Sequence, residues 1–211
     1  MEKKGILSKL ARFLAHETGK DQEVLLYALL LVKTSILSYT LLFLFSWVLG
    51  VWQWAFAAAL TAAIFRVFSG GAHASHPIRC SIIGATVFTT VGALVATFYI
   101  PVGNYQFGMI LLVVFVISSV IFYIYVPADT PGKPITSQVQ RTYLRIISYS
   151  LLVVWSAAVY FLFISARDVF AESLIIASLG GLCWQVFTLT PPGYLVFDRF
   201  DTFLKLLWKG G

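Results

Sequence analysis

The sequence predicts an all-α protein that crosses a membrane several times, and two observations carry this prediction. Of its 211 residues, 59% are hydrophobic and only 11% are charged, whereas about a quarter of the residues of a soluble domain are charged. The apolar residues form long unbroken runs, which are typical of membrane-spanning helices and not of the alternating strands of a barrel. A helix also pairs its own backbone amides, as a bilayer requires.

Six apolar runs are the candidate spans, because about twenty helical residues cross the hydrocarbon core. They cover residues 24–49, 51–67, 81–100, 107–126, 144–165 and 170–189. The second run is short, so we expect it to be tilted or only partly inserted. The sequence has no internal repeat and no shift in composition, and it therefore predicts one membrane-embedded domain over residues 1–211.

Each end of the chain is predicted to form an amphipathic helix on the membrane surface, over residues 3–17 and 194–209. In the first, Ile6, Leu10 and Phe13 share a face opposite Lys9 and Arg12. The second has an apolar face with its charged residues largely opposite, the apolar set being Val196, Phe197, Phe200, Phe203, Leu204, Leu207 and Trp208 and the charged set Asp198, Arg199, Asp201, Lys205 and Lys209.

Basic residues are concentrated in alternate connections between the runs. They are Lys3, Lys4, Lys9, Arg12 and Lys20 before the first run, Arg66 and Arg79 after the second, Lys133, Arg141 and Arg145 after the fourth, and Arg199, Lys205 and Lys209 in the tail. Cytoplasmic loops are rich in lysine and arginine, so both termini and the loop around residues 70–80 are predicted to be cytoplasmic.

The net charge is +6 and the sequence contains no long basic run, which argues against a nucleic-acid partner. No signal peptide is predicted at the N-terminus.

The polar interval 65–80 is the candidate functional site. It contains two of the three histidines and one of the two cysteines, and a thiol with an imidazole is what a cysteine nucleophile and its base require. Pro77 suits the first turn of a helix, so we expect the third span to begin there with Cys80 near its N-terminus. The helix dipole and the neighbouring Arg79 would both favour the thiolate.

The base is either His73 or His76. His76 is four residues before Cys80, within reach along a helix face, but it precedes a proline and is therefore disfavoured from the helical region. His73 is seven residues before Cys80 and reaches it only if the chain folds back, for which Gly70 and Gly71 supply the backbone freedom. Spacing leaves both candidates open, although it favours His73.

A transport or metal-binding protein without peptidase activity is the alternative class of function. In that case His73, His76 and Cys80 would hold a metal with one open position, as in catalytic zinc sites. The interval contains no aspartate or glutamate to assist such a metal, and we predict neither a metal nor another cofactor. Cys80 could also be an inert buried thiol, which is the interpretation we adopt for Cys183 inside an apolar run.

Two motifs resemble the accessory gene regulator B family. In the first, Arg66 precedes residues 70–74 (GGAHA), and Cys80 follows the histidine by seven residues. In the second, residues 127–135 (PADTPGKPI) are similar to that family's Pro-x-Asp…Lys-Pro-Ile loop. Both motifs occur in order on a chain whose length and six apolar runs also fit the family.

The resemblance implies a membrane cysteine endopeptidase that processes precursors of quorum-sensing peptides. It implies Cys80 as the nucleophile and His73 as its base, with Arg66, Gly70 and Gly71 in supporting positions. The C-terminal part of a short amphipathic precursor would be removed through a thioester at Cys80. A cysteine of the substrate would then attack this thioester and give a thiolactone ring.

Asp129 and Lys133 belong to the second motif. Asp129 would orient the imidazole of His73 or only form a turn before Thr130, and Lys133 would meet an acidic substrate tail or only set the topology. The predicted location is a bacterial cell membrane, and the predicted partners are the precursor peptide and the lipid bilayer. The sequence permits a homodimer without arguing for one.

Overall fold

The computed structural model describes residues 5–128 and 137–209. These residues form eight α-helices and no strand, so the predicted all-α membrane fold is confirmed. In chain order the helices are α1 (Ile6–Thr18), α2 (Gln22–Val48), α3 (Trp52–Ser69), α4 (Pro77–Phe98), α5 (Asn104–Tyr125), α6 (Gln138–Ser165), α7 (Val169–Phe187) and α8 (Pro191–Lys209).

Five of the described helices are long and apolar enough to cross a membrane, namely α2, α4, α5, α6 and α7. The sixth expected span, α3, has 18 residues and is therefore about 27 Å long. It runs parallel to α7 from end to end: Trp54 Nε1 donates to Ser173 Oγ at 2.8 Å near the two N-termini, and Arg66 meets Gln185 near the two C-termini. The short second run thus forms a helix that follows the full length of α7 and keeps one exposed face, which includes Leu60, Ile64 and Val67.

Small residues on α3 allow this central position. The buried alanines of α3 include Ala55, Ala58 and Ala62, and α3 packs most extensively against α7 and α4. A Cβ atom at Gly181 of α7 would overlap the carbonyl oxygen of Ala58, so these two backbones are in direct contact. Close packing of small residues is a main source of helix association in a membrane, where lipid is as apolar as a leucine side chain.

Gly181→Ala is therefore expected to push α3 and α7 apart and to lower the free energy of unfolding by about 1–3 kcal/mol. Thermal unfolding in detergent micelles measures the effect. Gly84→Ala is the matched control, because Gly84 is also helical but a Cβ there meets nothing within 4 Å. Equal melting temperatures for the two variants would contradict this packing.

The connections between helices meet at two opposite ends of the bundle. At one end Tyr99, which follows α4, donates its hydroxyl to Glu172 in the first turn of α7. At the other end Gly70 forms a parallel bridge with Ala128, and the amide of Ala72 donates to the carbonyl of Thr188 at 2.9 Å. The ends of α3, α5 and α7 and the start of α4 therefore come together around the polar interval identified in the sequence.

The C-terminal helix α8 is packed against this same end. Phe197 is buried with Ala72 and Ile83, while Phe200 and Phe203 remain exposed. Asp201, which was grouped with the charged residues largely opposite the apolar face of the tail, is buried and bonded to Arg79 of α4. Its burial follows from the docking of α8 onto the loop, which sequence periodicity does not reveal.

Candidate active site

The site begins where α3 ends. Gly70 follows α3 with a φ of 74°, and its amide still donates to the carbonyl of Arg66. A Cβ atom at Gly70 would overlap the carbonyl oxygen of Ala128, because the amide of Ala128 donates to Ser69 O at 2.9 Å and holds the two segments together. A positive φ and a close backbone approach thus both require glycine here.

Helix α4 begins at Pro77, as the sequence predicts, and His76 is its N-cap residue. The Nδ1 atom of His76 accepts a hydrogen bond from the amide of Ile78 at 3.3 Å. Cys80 lies in the first turn, with its amide donating to His76 O at 3.1 Å. A capping side chain satisfies one of the unpaired amides of the helix start, so His76 already has a structural role.

The loop brings His73 to the thiol. The distance from Cys80 Sγ to His73 Nδ1 is 4.0 Å, with the cysteine half-buried and the histidine at the surface. This is a long contact for a hydrogen bond to sulfur, and such contacts often tighten only when substrate binds. Of the two histidines that spacing left open, His73 is the one whose ring faces Cys80.

The surroundings of His73 keep its imidazole neutral. Desolvation of the part of the ring that faces the protein, followed by the positive charge of Arg66, lowers the pKa of His73 to about 4 from its ordinary value of 6.5. A neutral imidazole accepts a proton, whereas an imidazolium cannot. At physiological pH the side chain is thus in the form that a general base needs.

The lowered pKa of His73 predicts activity in mild acid. A base with a pKa of about 4 is mostly deprotonated at pH 5. For a base with a pKa of 6.5, only about one molecule in 30 would still be neutral at that pH. The rate constant of acyl-enzyme formation should therefore change little between pH 7 and pH 5. Circular dichroism at each pH controls for unfolding, and an acidic limb centred near 6.5 would contradict the prediction.

Three further residues, Ser75, Arg79 and Asp201, form a hydrogen-bonded group at the start of α4. Arg79 Nε donates to Asp201 Oδ1 and Ser75 Oγ donates to Asp201 Oδ2, both at 2.6 Å. Burial raises the pKa of Asp201, but the hydrogen bonds from Ser75 and Arg79 outweigh this and hold the pKa below its ordinary value. The charge of Arg79, which we expected to favour the Cys80 thiolate, is thus paired with a carboxylate of α8.

Arg66 is the supporting residue that the structure places at the centre of the loop. One of its nitrogens, Nη2, donates to the carbonyl of Ala72, and the other, Nη1, lies 3.3 Å from Gln185 Oε1 and 3.5 Å from Thr188 Oγ1. Gln185 and Thr188 were not among the residues predicted from the sequence. In the sequence they are marked only as polar side chains, an amide and a hydroxyl, near the end of an apolar run.

Other predicted site residues have different outcomes. Gly71 has a φ of 133° and lies against Arg66 and Thr188, whereas Asp129 and Lys133 lie outside the described residues. Within the described ranges, no group of three histidine, cysteine, aspartate or glutamate side chains is placed to hold a metal ion. Cys183 is exposed on the outer face of α7, so its expected burial is wrong.

Fold and site together define a polytopic helical membrane protein with a cysteine–histidine pair at one end of its bundle. The chain belongs to the family described as Accessory gene regulator B, which it matches over residues 6–189. This membership connects it with the processing of accessory gene regulator peptides.

Two curated relatives, both from Clostridium perfringens, extend over most of the chain. The first, "Putative AgrB-like protein 2" of strain 13 / Type A, is 26% identical over 185 residues, which cover 86% of this chain and 85% of that protein. The second, "Putative AgrB-like protein" of strain SM101 / Type A, is 23% identical over 199 residues, covering 90% of each chain. No solved structure matches the chain significantly.

Proposed function

We propose that this protein is a membrane cysteine endopeptidase that removes the C-terminal part of an autoinducing peptide precursor. The observation that carries the proposal is the contact between Cys80 Sγ, in the first turn of α4, and His73 Nδ1, in the loop before it. The lowered pKa of His73 and the membership of the accessory gene regulator B family support it.

In the first half-reaction, His73 Nδ1 takes the proton of the Cys80 thiol as the sulfur attacks the scissile carbonyl carbon. The tetrahedral intermediate collapses, the C–N bond breaks, and the imidazolium of His73 gives its proton to the departing amine. The N-terminal part of the precursor is then held as a thioester on Cys80. The nucleophile and its base act here as a pair, as in other cysteine hydrolases.

In the second half-reaction, a cysteine thiol of the same precursor gives its proton to His73 and attacks the thioester. The new S–C bond closes a thiolactone ring, the bond to Cys80 breaks, and the imidazolium returns a proton to the released thiolate. One thioester replaces another, so the acyl activation is conserved only if water is kept away. A site at the membrane surface favours this exclusion.

Charge and amphipathicity support a cytoplasmic location for the site. Arg66 and Arg79 lie at the end of the bundle that carries Cys80, and an excess of basic residues marks the cytoplasmic side. Both α1 and α8 expose apolar residues such as Phe13 and Phe203, which would enter the lipid headgroup region. We therefore place the Cys80 end in the cytoplasm, with an amphipathic precursor arriving along the membrane surface.

Asp129 and Lys133 keep their predicted roles in this proposal. Asp129 would orient His73, and Lys133 would contact an acidic tail of the precursor.

Trapping of the covalent intermediate tests the proposed chemistry. The purified protein in lipid vesicles is mixed with precursors encoded near its gene, quenched in acid and digested for mass spectrometry. We expect the N-terminal part of the precursor on the peptide that contains Cys80, and we expect hydroxylamine to release it because thioesters are labile to this nucleophile. EDTA should have no effect. Cleavage that persists in Cys80→Ala, or that EDTA abolishes, would contradict the cysteine mechanism.

A further inference from the structure

Gln185 is a buried amide that is fully bonded at the end of the apolar helix α7. Its side chain has no exposed surface. The Nε2 atom donates to Gly70 O at 2.7 Å and to Ser69 Oγ at 3.0 Å, and Oε1 lies 3.3 Å from Arg66 Nη1. An amide in an apolar interior is costly unless its hydrogen bonds are made, and those of Gln185 are made to the turn that precedes His73.

The residue next to His73 is held by the same group of contacts. Ala72 is buried, its amide donates to Thr188 O at 2.9 Å, and its carbonyl accepts from Arg66 Nη2. Arg66 is oriented in turn by Gln185 Oε1. Both backbone polar groups of Ala72 are thus fixed, and the direction in which the chain enters His73 is set by the end of α7.

We propose that Gln185 is a positioning residue for the pair His73 and Cys80, acting through Arg66 and the backbone of Gly70 and Ala72. It touches neither reacting atom. Its Nε2 atom donates to the carbonyl of Gly70, and its Oε1 atom accepts from Arg66. The side chain of Gln185 therefore fixes the turn and the arginine together. This inference rests on the proposed function, since it assigns a role within that same site.

The alternative is that Gln185 only joins α3 to α7, as Ser178 does. Ser178 Oγ lies 2.6 Å from Thr61 Oγ1 in the same helix pair. A joining role predicts that Gln185 variants loosen the bundle and make Cys80 more accessible. A positioning role predicts instead that Cys80 reacts more slowly in these variants, because a displaced His73 no longer assists removal of the thiol proton.

The rate of Cys80 alkylation by N-ethylmaleimide separates these two roles without any precursor. The full-length protein in lipid vesicles carries Cys183→Ala, so that Cys80 is its one remaining cysteine. We expect Gln185→Leu and Gln185→Glu to slow alkylation at pH 7 by about tenfold, to a rate close to that of His73→Ala. A displacement of a catalytic group by about 1 Å can reduce a rate by even more than this. Gln185→Glu keeps the shape and the acceptor but loses the donor to Gly70.

Ser178→Ala is the matched control and should alkylate at the parent rate. If the Gln185 variants do not fold, Thr188→Val distinguishes the positioning role from the joining role. This variant removes the hydroxyl contacts to Arg66 and Gln185 and keeps the carbonyl that accepts from the amide of Ala72. We expect Thr188→Val to slow alkylation severalfold. Parent or faster rates in the folded variants would overturn the inference, as would an equal loss in Ser178→Ala.

Failure of the proposed function looks different. It would be seen as precursor cleavage by Cys80→Ala, whatever the alkylation rates are. Parent alkylation rates in Gln185 variants of an enzyme that still depends on Cys80 would remove only the positioning role.

Discussion

His73→Ala is expected to slow precursor cleavage by about 10²–10⁴-fold, the usual contribution of a general base, whereas His76→Asn should remain within a few-fold of the parent. The two histidines lie three residues apart in one loop but have different contacts. His73 Nδ1 faces Cys80 Sγ at 4.0 Å, while His76 Nδ1 accepts from the amide of Ile78. Single-turnover cleavage measures both variants.

The choice of asparagine at position 76 isolates the chemistry from the fold. Asparagine is a good N-cap residue, so His76→Asn preserves the cap of α4, whereas alanine would cost about 1 kcal/mol of stability. Cys80→Ala provides the baseline, since it removes the nucleophile itself. Equal losses in His73→Ala and His76→Asn would contradict the assignment of His73 as the base.

Gly70→Ala is expected to reduce cleavage at least as strongly as His73→Ala, by displacing the loop as a whole. The added methyl group would overlap the carbonyl oxygen of Ala128, and the φ of 74° would be strained in any other residue. Either the bridge to Ala128 opens or the turn changes shape, and both move His73 away from Cys80. The single-turnover assay measures the loss.

Two glycine controls separate the causes of that effect. Gly19 also has a positive φ, 67°, but its ψ of 8° lies in the left-handed helical region, whereas Gly70 has a ψ of −148°. A Cβ atom at Gly19 meets nothing within 4 Å, so Gly19→Ala reports the strain of a positive φ without a steric overlap and should cost about 1–2 kcal/mol of stability with little loss of activity. Gly84→Ala, in an open helical position, should be neutral or slightly stabilising. A Gly70→Ala variant that cleaves like Gly19→Ala would show that the contact with Ala128 is not required.

Much of the site was visible in the sequence because its signals are local. Pro77 marks the start of α4, and the paired glycines 70 and 71 mark the turn before it, since both residue types restrict or release the backbone wherever they occur. Spacing alone could not choose between His73 and His76. That choice depended on which ring caps the helix, and the capping bond is visible only in three dimensions.

The residues that sequence analysis missed are all distant in the chain. Gln185 is 115 positions from Gly70, and Asp201 is 122 positions from Arg79. Asp201 was grouped with the charged face of an amphipathic helix, although it lies four residues after Phe197 and so shares that residue's side of α8. Its burial required α8 to fold back onto the loop, and spacing within α8 does not show that contact.

The sequence by itself determined that this chain is helical, lies in a membrane and places a thiol and an imidazole in one polar interval. These properties depend on the transfer of apolar runs from water and on short-range backbone preferences, both of which can be read along the chain. The tertiary structure decided which imidazole meets the thiol and which buried groups hold it there. The contacts of Gln185 and Thr188 with this loop join segments more than a hundred residues apart, and only the packing of α3 between α4 and α7 brings them together.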